Sequence, residues 1–294
     1  MIDSTIYPCL GALVGDTIGS IYELDNIKTT HFPLFQDISR PTDDSIMTIA
    51  VAEWLIKDQK RSLIGLEESM IKWAFLYPNV GYGPSFKEWL FCPYYKNMDL
   101  YAPHIKAGED PETILRSAGI RRPYRSWGNG SAMRCSACGW AAKSLEEAIE
   151  LGRQSAAITH NHPEGLRGAE AVAAAIFLAR AGKTKEEIRN HIEQRFYYDL
   201  HMDCDDIRPN YEWEASCQGT VPPAFVAFFD SYDFESAIRL AVSLGGDSDT
   251  LACITGSIAQ AYYKEIPKEI FSEMQTRLPA EFLDIMKQLQ IKIL

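Results

Sequence analysis

Apolar residues recur along most of this chain at helical spacing, in runs separated by short polar, glycine or proline breaks. The pattern predicts helices from Asp3 or Ser4 to about Glu23, from Thr42 to Lys57, from Leu66 to Leu76, from Leu145 to Ala157, from Glu164 to Ala181, from Ala224 to Phe229, from Phe234 to Ser243, from Leu251 to Tyr263, and from Lys268 onward. Two runs, Ile46 to Ile56 and Leu251 to Tyr263, are too apolar all round to lie on a surface and are expected in the core. In the first helix Gly11, Gly15 and Gly19 fall four apart, so they line one face and let another helix approach closely.

Three stretches break the pattern. Tyr77 to Pro103, with Gly81-Tyr82-Gly83-Pro84-Ser85-Phe86, Trp89, Phe91, Tyr94, Tyr95 and Tyr101, reads as a loop carrying one helix. Its rings either pin it to the core or wall a site where one stacks on a purine. Trp127-Gly128-Asn129-Gly130-Ser131-Ala132-Met133-Arg134 opens a helix, and its small residues leave backbone amides bare, where a diphosphate fits. Arg195 to Cys217 reads as irregular, with short strands at Phe196-Tyr197-Tyr198 and Trp213-Glu214-Ala215. Its acids Asp199, Asp203, Asp205 and Asp206 lack the glycine and closing glutamate of a calcium loop and read as a solvated acidic loop.

The chemistry concentrates at the starts of the two core helices. Thr42-Asp43-Asp44-Ser45 stands before one and Gly245-Gly246-Asp247-Ser248-Asp249-Thr250 before the other. Asp, Ser and Thr cap helices, but one oxygen per helix suffices, and each start carries two carboxylates plus hydroxyls. Like charges so close need a cation between them, which makes a shared metal site the better reading. With no His or Cys adjoining, the ligand set is hard oxygen and suits Mg²⁺, Mn²⁺ or Ca²⁺ rather than Zn²⁺. Asp16 and Glu23, two turns apart on the first helix, are expected to face the same site; a salt bridge or an exposed helix end is the other reading. Thr159-His160-Asn161-His162-Pro163 offers a His-x-His pair, the feature nearest to a zinc hydrolase, but no Asp follows where such a site needs one. His160 is therefore expected to serve the substrate or a ligand's partner rather than a metal. Cys135 and Cys138, inside a helix and without a second pair, read as core thiols.

The net charge of −11 argues against nucleic acid or an anionic membrane as partner. No basic leader precedes the first apolar run, which Asp16 and its glycines interrupt, and the seven cysteines show no disulfide framework. The expectation is a cytoplasmic monomer. If the acids near 43 and 249 meet, residues 1–294 form one domain.

These motifs resemble the ADP-ribosylglycohydrolase family, which includes the dinitrogenase reductase-activating glycohydrolases. The resemblance rests on Gly11-Ala12-Leu13-Val14-Gly15-Asp16 with Glu23, on Thr42-Asp43-Asp44, on Gly128-Asn129-Gly130-Ser131 with Met133-Arg134, on Thr159-His160 with His162-Pro163, and on Leu244 through Thr250, all in the family's order. It implies a compact all-α, single-domain orthogonal helical bundle with a dinuclear Mg²⁺ (or Mn²⁺) centre. By matching position Thr42, Asp43, Asp44, Asp247, Asp249 and Thr250 would be metal ligands. Gly128, Asn129, Gly130, Ser131, Met133 and His160 would line the ADP-ribose pocket, and Glu23 would be the mobile acid beside the scissile bond.

The expected reaction is hydrolysis of the N-glycosidic bond between ADP-ribose and an acceptor, most often a modified arginine, with Asp44 or Glu23 as general base or charge stabiliser. A dimetal nucleotide phosphohydrolase would use the same ligands, and a non-catalytic ADP-ribose binder would keep the pocket without turnover.

Overall fold

The computed structural model describes residues 7–91 and 121–293. The chain folds into an all-α, compact helical bundle organised around one buried helix, with no sheet among the described residues; their one β-bridge pairs Gly128 with Ser216. The helices run in the order α1 Leu10–Gly19, α2 Asp43–Lys57, α3 Leu63–Leu76, α4 Pro84–Phe91, α5 Gly130–Met133, α6 Ser136–Ala141, α7 Leu145–Ala157, α8 Pro163–Arg180, α9 Lys185–Phe196, α10 Cys204–Ile207, α11 Cys217–Asp230, α12 Phe234–Ser243, α13 Ser248–Tyr263, α14 Lys268–Arg277 and α15 Ala280–Ile293.

Helix α13 is the axis of the molecule. Every residue from Ser248 to Ala261 is buried, and α1, α8, α11 and α12 pack around it. The closest of these is α1, itself buried along its whole length. Its glycines explain the approach. A methyl on Gly11 would lie 2.7 Å from Gln260 Cβ, one on Gly15 2.7 Å from Cys253 N, and one on Gly19 2.7 Å from Asp249 N, all closer than Cβ atoms pack. Gln260 locks the register by accepting from Gly11 N–H at 2.7 Å and donating to Tyr7 O at 2.7 Å. The acid-bearing start of α13 is thereby set beside the end of α1.

Several boundaries differ from the sequence reading. Helix α1 starts at Leu10, because Cys9 sits in the left-handed region at φ 70°; Asp3 and Ser4 lie outside the described residues. Helix α3 starts earlier than expected, where the Ser62 hydroxyl accepts from Gly65 N–H. Helix α9 was not expected, although Thr184 and Glu187 form a full capping box. The predicted strands are not formed: Phe196 ends α9, and Ser216 caps α11 after its single-residue bridge. Helix α11 continues through Pro222 and Pro223, its inward face of Val221, Ala224, Phe225 and Phe228 outweighing the lost amide donors. The last run splits at Pro279 into α14 and α15.

Candidate active site

The two acidic helix starts come together, and at neither does the N-cap residue use its own side chain as a cap. Thr42, at the N-cap of α2, makes no side-chain cap bond, and nor does Asp247 at the N-cap of α13. The cap of α2 is supplied from α1. The Asp16 carboxylate accepts from Thr42 N–H at 2.8 Å, from the Thr42 hydroxyl at 2.6 Å, from Ser45 N–H at 3.0 Å, and from the Ser45 hydroxyl. Asp16 thus faces the site as expected, but its oxygens fasten α2 in place.

The remaining carboxylates face one another. The Thr42 hydroxyl lies 3.5 Å from Asp249 Oδ2, and the Thr250 hydroxyl donates to Asp44 Oδ2 at 3.3 Å. Carboxylate oxygens of Asp16, Asp44 and Asp249 lie within 4.8 Å of one another, and so do those of Glu23, Asp247 and Asp249. Asp44 Oδ1 is buried with no hydrogen-bond partner. Burial, reinforced by the neighbouring acids, holds Asp43, Asp44 and Asp249 well above the usual carboxylate range; at Asp16 burial alone pushes the carboxyl up to about 6, against the lowering effect of hydrogen bonds from Ser45 and Thr42. Glu23, half-buried, is raised by burial first and then by Asp247 and Asp16. An orphaned buried oxygen within a cluster of mutually repelling acids fits hard divalent cations.

These acids open into a cavity of about 470 Å³. Glu23, Asp43, Asp44, Asp247, Asp249 and Thr250 line one part of it, and Gly128, Asn129, Gly130, Met133 and His160 another. Asn129 joins the two, donating through Nδ2 to Asp247 Oδ2 at 2.7 Å and to Thr220 Oγ1 at 3.1 Å. The loop is held by Asn129 N–H to Ala215 O and Cys217 N–H to Trp127 O, both 2.8 Å. Gly130 stands close to His160, whose Nε2 a Cβ there would crowd at 3.3 Å. Ser131 does not line the cavity; its hydroxyl donates to Gly165 O at 2.7 Å and ties the loop to α8.

The alternative motifs resolve differently. His162 accepts from Glu164 N–H through Nδ1 at 3.2 Å, capping α8, and His160 Nδ1 meets the Thr159 hydroxyl at 2.7 Å; among the described residues neither histidine belongs to a cluster of three or more possible metal ligands. Cys135 and Cys138 are buried free thiols. Asp203 caps α10 by accepting from Asp206 N–H. Tyr82 and Phe86 are buried yet border the cavity, so this part of the aromatic stretch is both pinned and wall-forming; Tyr94, Tyr95 and Tyr101 lie outside the described residues. Tyr124 and the half-exposed Trp213 also border the cavity. Sequence reasoning missed both, since nothing in an irregular stretch says which ring turns inward.

No helix among the described residues is long and apolar enough to cross a membrane. The family model for ADP-ribosylglycohydrolases matches residues 5–292. The chain is similar to the ADP-ribosylhydrolase ARH3 of Mus musculus, at 26% identity over 88% of this chain and 84% of that protein. It is also similar to the ADP-ribosylarginine hydrolase Tri1 of Serratia proteamaculans, at 23% identity over 88% of this chain and 72% of that one. A solved structure described as an ADP-ribosylglycohydrolase-related protein complex shares the fold, with a TM-score of 0.67 at 24% identity over 99% of this chain and 98% of that one. With its motifs, its fold and nearly its whole length matched, the chain belongs to the ADP-ribosylglycohydrolase family.

Proposed function

We propose that this protein hydrolyses the N-glycosidic bond joining ADP-ribose to an acceptor, the guanidinium of a modified arginine being the favoured one. The observation that carries this reading is the convergence of Glu23, Asp44, Asp247 and Asp249, from distant parts of the chain, in the same cavity as the Gly128–Gly130 loop. No Lys or Arg is among the described residues lining that cavity, so a cationic acceptor meets attraction there. The protein named ADP-ribosylarginine hydrolase among its relatives supports the same choice.

Thr42, Asp43, Asp44, Asp247, Asp249 and Thr250 would hold two divalent cations, Mg²⁺ or Mn²⁺. When bound, such ions offset the carboxylate charge and help orient ribose hydroxyls and a water. The protein's own groups do the rest. The amide of Gly130, which borders the cavity, has no partner among the described residues and can receive the diphosphate. Asn129 holds Asp247 in register with that loop. Glu23 lies at the cavity with a raised affinity for protons, as a general base needs, and its negative form also stabilises positive charge developing at the anomeric carbon. Asp44 is the other candidate for this role, but with one oxygen bonded to Thr250 and the other buried, it is better placed as a ligand.

The test is chromatographic release of free ADP-ribose from an ADP-ribosylated arginine peptide in Mg²⁺, with inorganic phosphate measured in parallel. Phosphate instead of ADP-ribose would indicate the nucleotide phosphohydrolase, and full activity in Asp247→Ala would reject the metal assignment.

A further inference from the structure

Arg134 is the least explained charge in the molecule. Its side chain is fully buried, no carboxylate pairs with it among the described residues, and its Nε and Nη1 have no hydrogen-bond partner. Burying an unpaired guanidinium is costly, so its position calls for a role. Its one bonded nitrogen, Nη2, donates to Ser155 O at 2.7 Å and to Thr159 Oγ1 at 2.8 Å. Thr159 Oγ1 in turn lies 2.7 Å from His160 Nδ1.

The direction of these bonds follows from giving every buried hydrogen an acceptor. A guanidinium only donates, so Thr159 Oγ1 accepts from Arg134 and keeps its single hydrogen. Among the described residues the one acceptor bonded to that hydroxyl is His160 Nδ1; a protonated Nδ1 would leave the buried hydroxyl hydrogen without an acceptor, whereas an unprotonated Nδ1 satisfies it. Burial, and then the charge of Arg134, hold His160 well below its usual range, so the ring is neutral and its proton sits on Nε2. Nε2 has no protein partner among the described residues and lies against the Gly128–Gly130 loop, where a Cβ on Gly130 would be 3.3 Å away.

We propose that Arg134, Thr159 and His160 form a hydrogen-bond relay that fixes His160 as an Nε2–H donor to a phosphate oxygen of the ligand held at the Gly128–Gly130 loop. Arg134 and Thr159 are then positioning residues, and His160 touches the ligand. The identity of that ligand rests on the ADP-ribose reading above; the tautomer does not.

Long-range ¹H–¹⁵N spectra of the full chain, with His160 assigned by His160→Gln, test the relay without any ligand. The relay predicts an acceptor-type Nδ1 and a protonated Nε2 in the wild type, a mixture of tautomers in Thr159→Val, and restoration in Thr159→Ser. Calorimetry with ADP-ribose in Mg²⁺ should show about tenfold weaker binding in Thr159→Val, equivalent to about 1.4 kcal/mol, recovered in Thr159→Ser. A protonated Nδ1 in the wild type, or unchanged affinity in Thr159→Val, overturns the relay. A wild type with the expected tautomer that binds no ADP-ribose rejects the ligand assignment instead.

Discussion

The contact between α1 and α13 makes a quantitative prediction through Gly15→Ala. The new methyl would sit 2.7 Å from Cys253 N and closer still to Ala252 O, both backbone atoms that cannot rotate away. Relief requires the helices to separate by roughly an ångström. Overpacking of this kind costs about 1–3 kcal/mol, offset by up to about 1 kcal/mol from the better helix propensity of alanine. At the upper end of that range, as a clash with backbone atoms demands, the net loss is about 2 kcal/mol, which at about 2.1 cal/mol/K per residue lowers the Tm of this 294-residue chain by about 3 °C. The larger effect is on the site. Asp16 follows Gly15 and holds Thr42 and Ser45, while Asp249 begins the helix that is pushed away. A misplacement of about 1 Å lowers turnover by about 100-fold. Thermal melting, with ADP-ribose release measured well below the melting range, tests both numbers. Wild-type Tm and activity in Gly15→Ala would refute the idea that this glycine face sets the site.

Three further outcomes are expected. At about 100 times its Kd, Mg²⁺ should stabilise the protein by about 2.7 kcal/mol, EDTA should reverse the shift, and Asp249→Ala should abolish it; an equal Mg²⁺ shift in that variant contradicts the assignment. In EDTA, Asp44→Asn should be more stable than the wild type by an amount that widens as pH rises above about 4. The folded pKa of Asp44 is raised, so whatever stability the neutral acid contributes is lost as pH climbs toward that pKa; a difference that narrows over the same range refutes the burial argument. Glu23→Gln should lower kcat by about 100- to 10,000-fold with KM little changed, and a kcat within a few-fold of wild type would remove Glu23 from the reaction.

The sequence reading succeeded where local composition had a tertiary meaning. The fourfold glycine spacing in α1 announced a close helix contact, and the surplus acids at two apolar helix starts announced a shared site; both are found. The role of Asp16 was only half visible, because a cap donated by another helix leaves no local signature in α2. Ser131 stood in a glycine-rich stretch that reads as ligand-facing, yet its hydroxyl turns inward to Gly165 O. Helix α9 carried its capping box in plain view, but its strongly polar face hides the apolar spacing of Ile188, Ile192 and Phe196. Trp213 and Tyr124 belong to irregular chain, whose path is set by partners far along the sequence, such as Thr159 O for the Tyr124 amide at 3.2 Å.

The most direct measurement of the central claim is anomalous diffraction from crystals equilibrated with Mn²⁺. The account predicts two peaks in the cavity, held by Thr42, Asp43, Asp44, Asp247, Asp249 and Thr250. An empty cavity, or manganese bound only at the cluster of half-buried Glu193 with exposed Asp199 and His201, would contradict it.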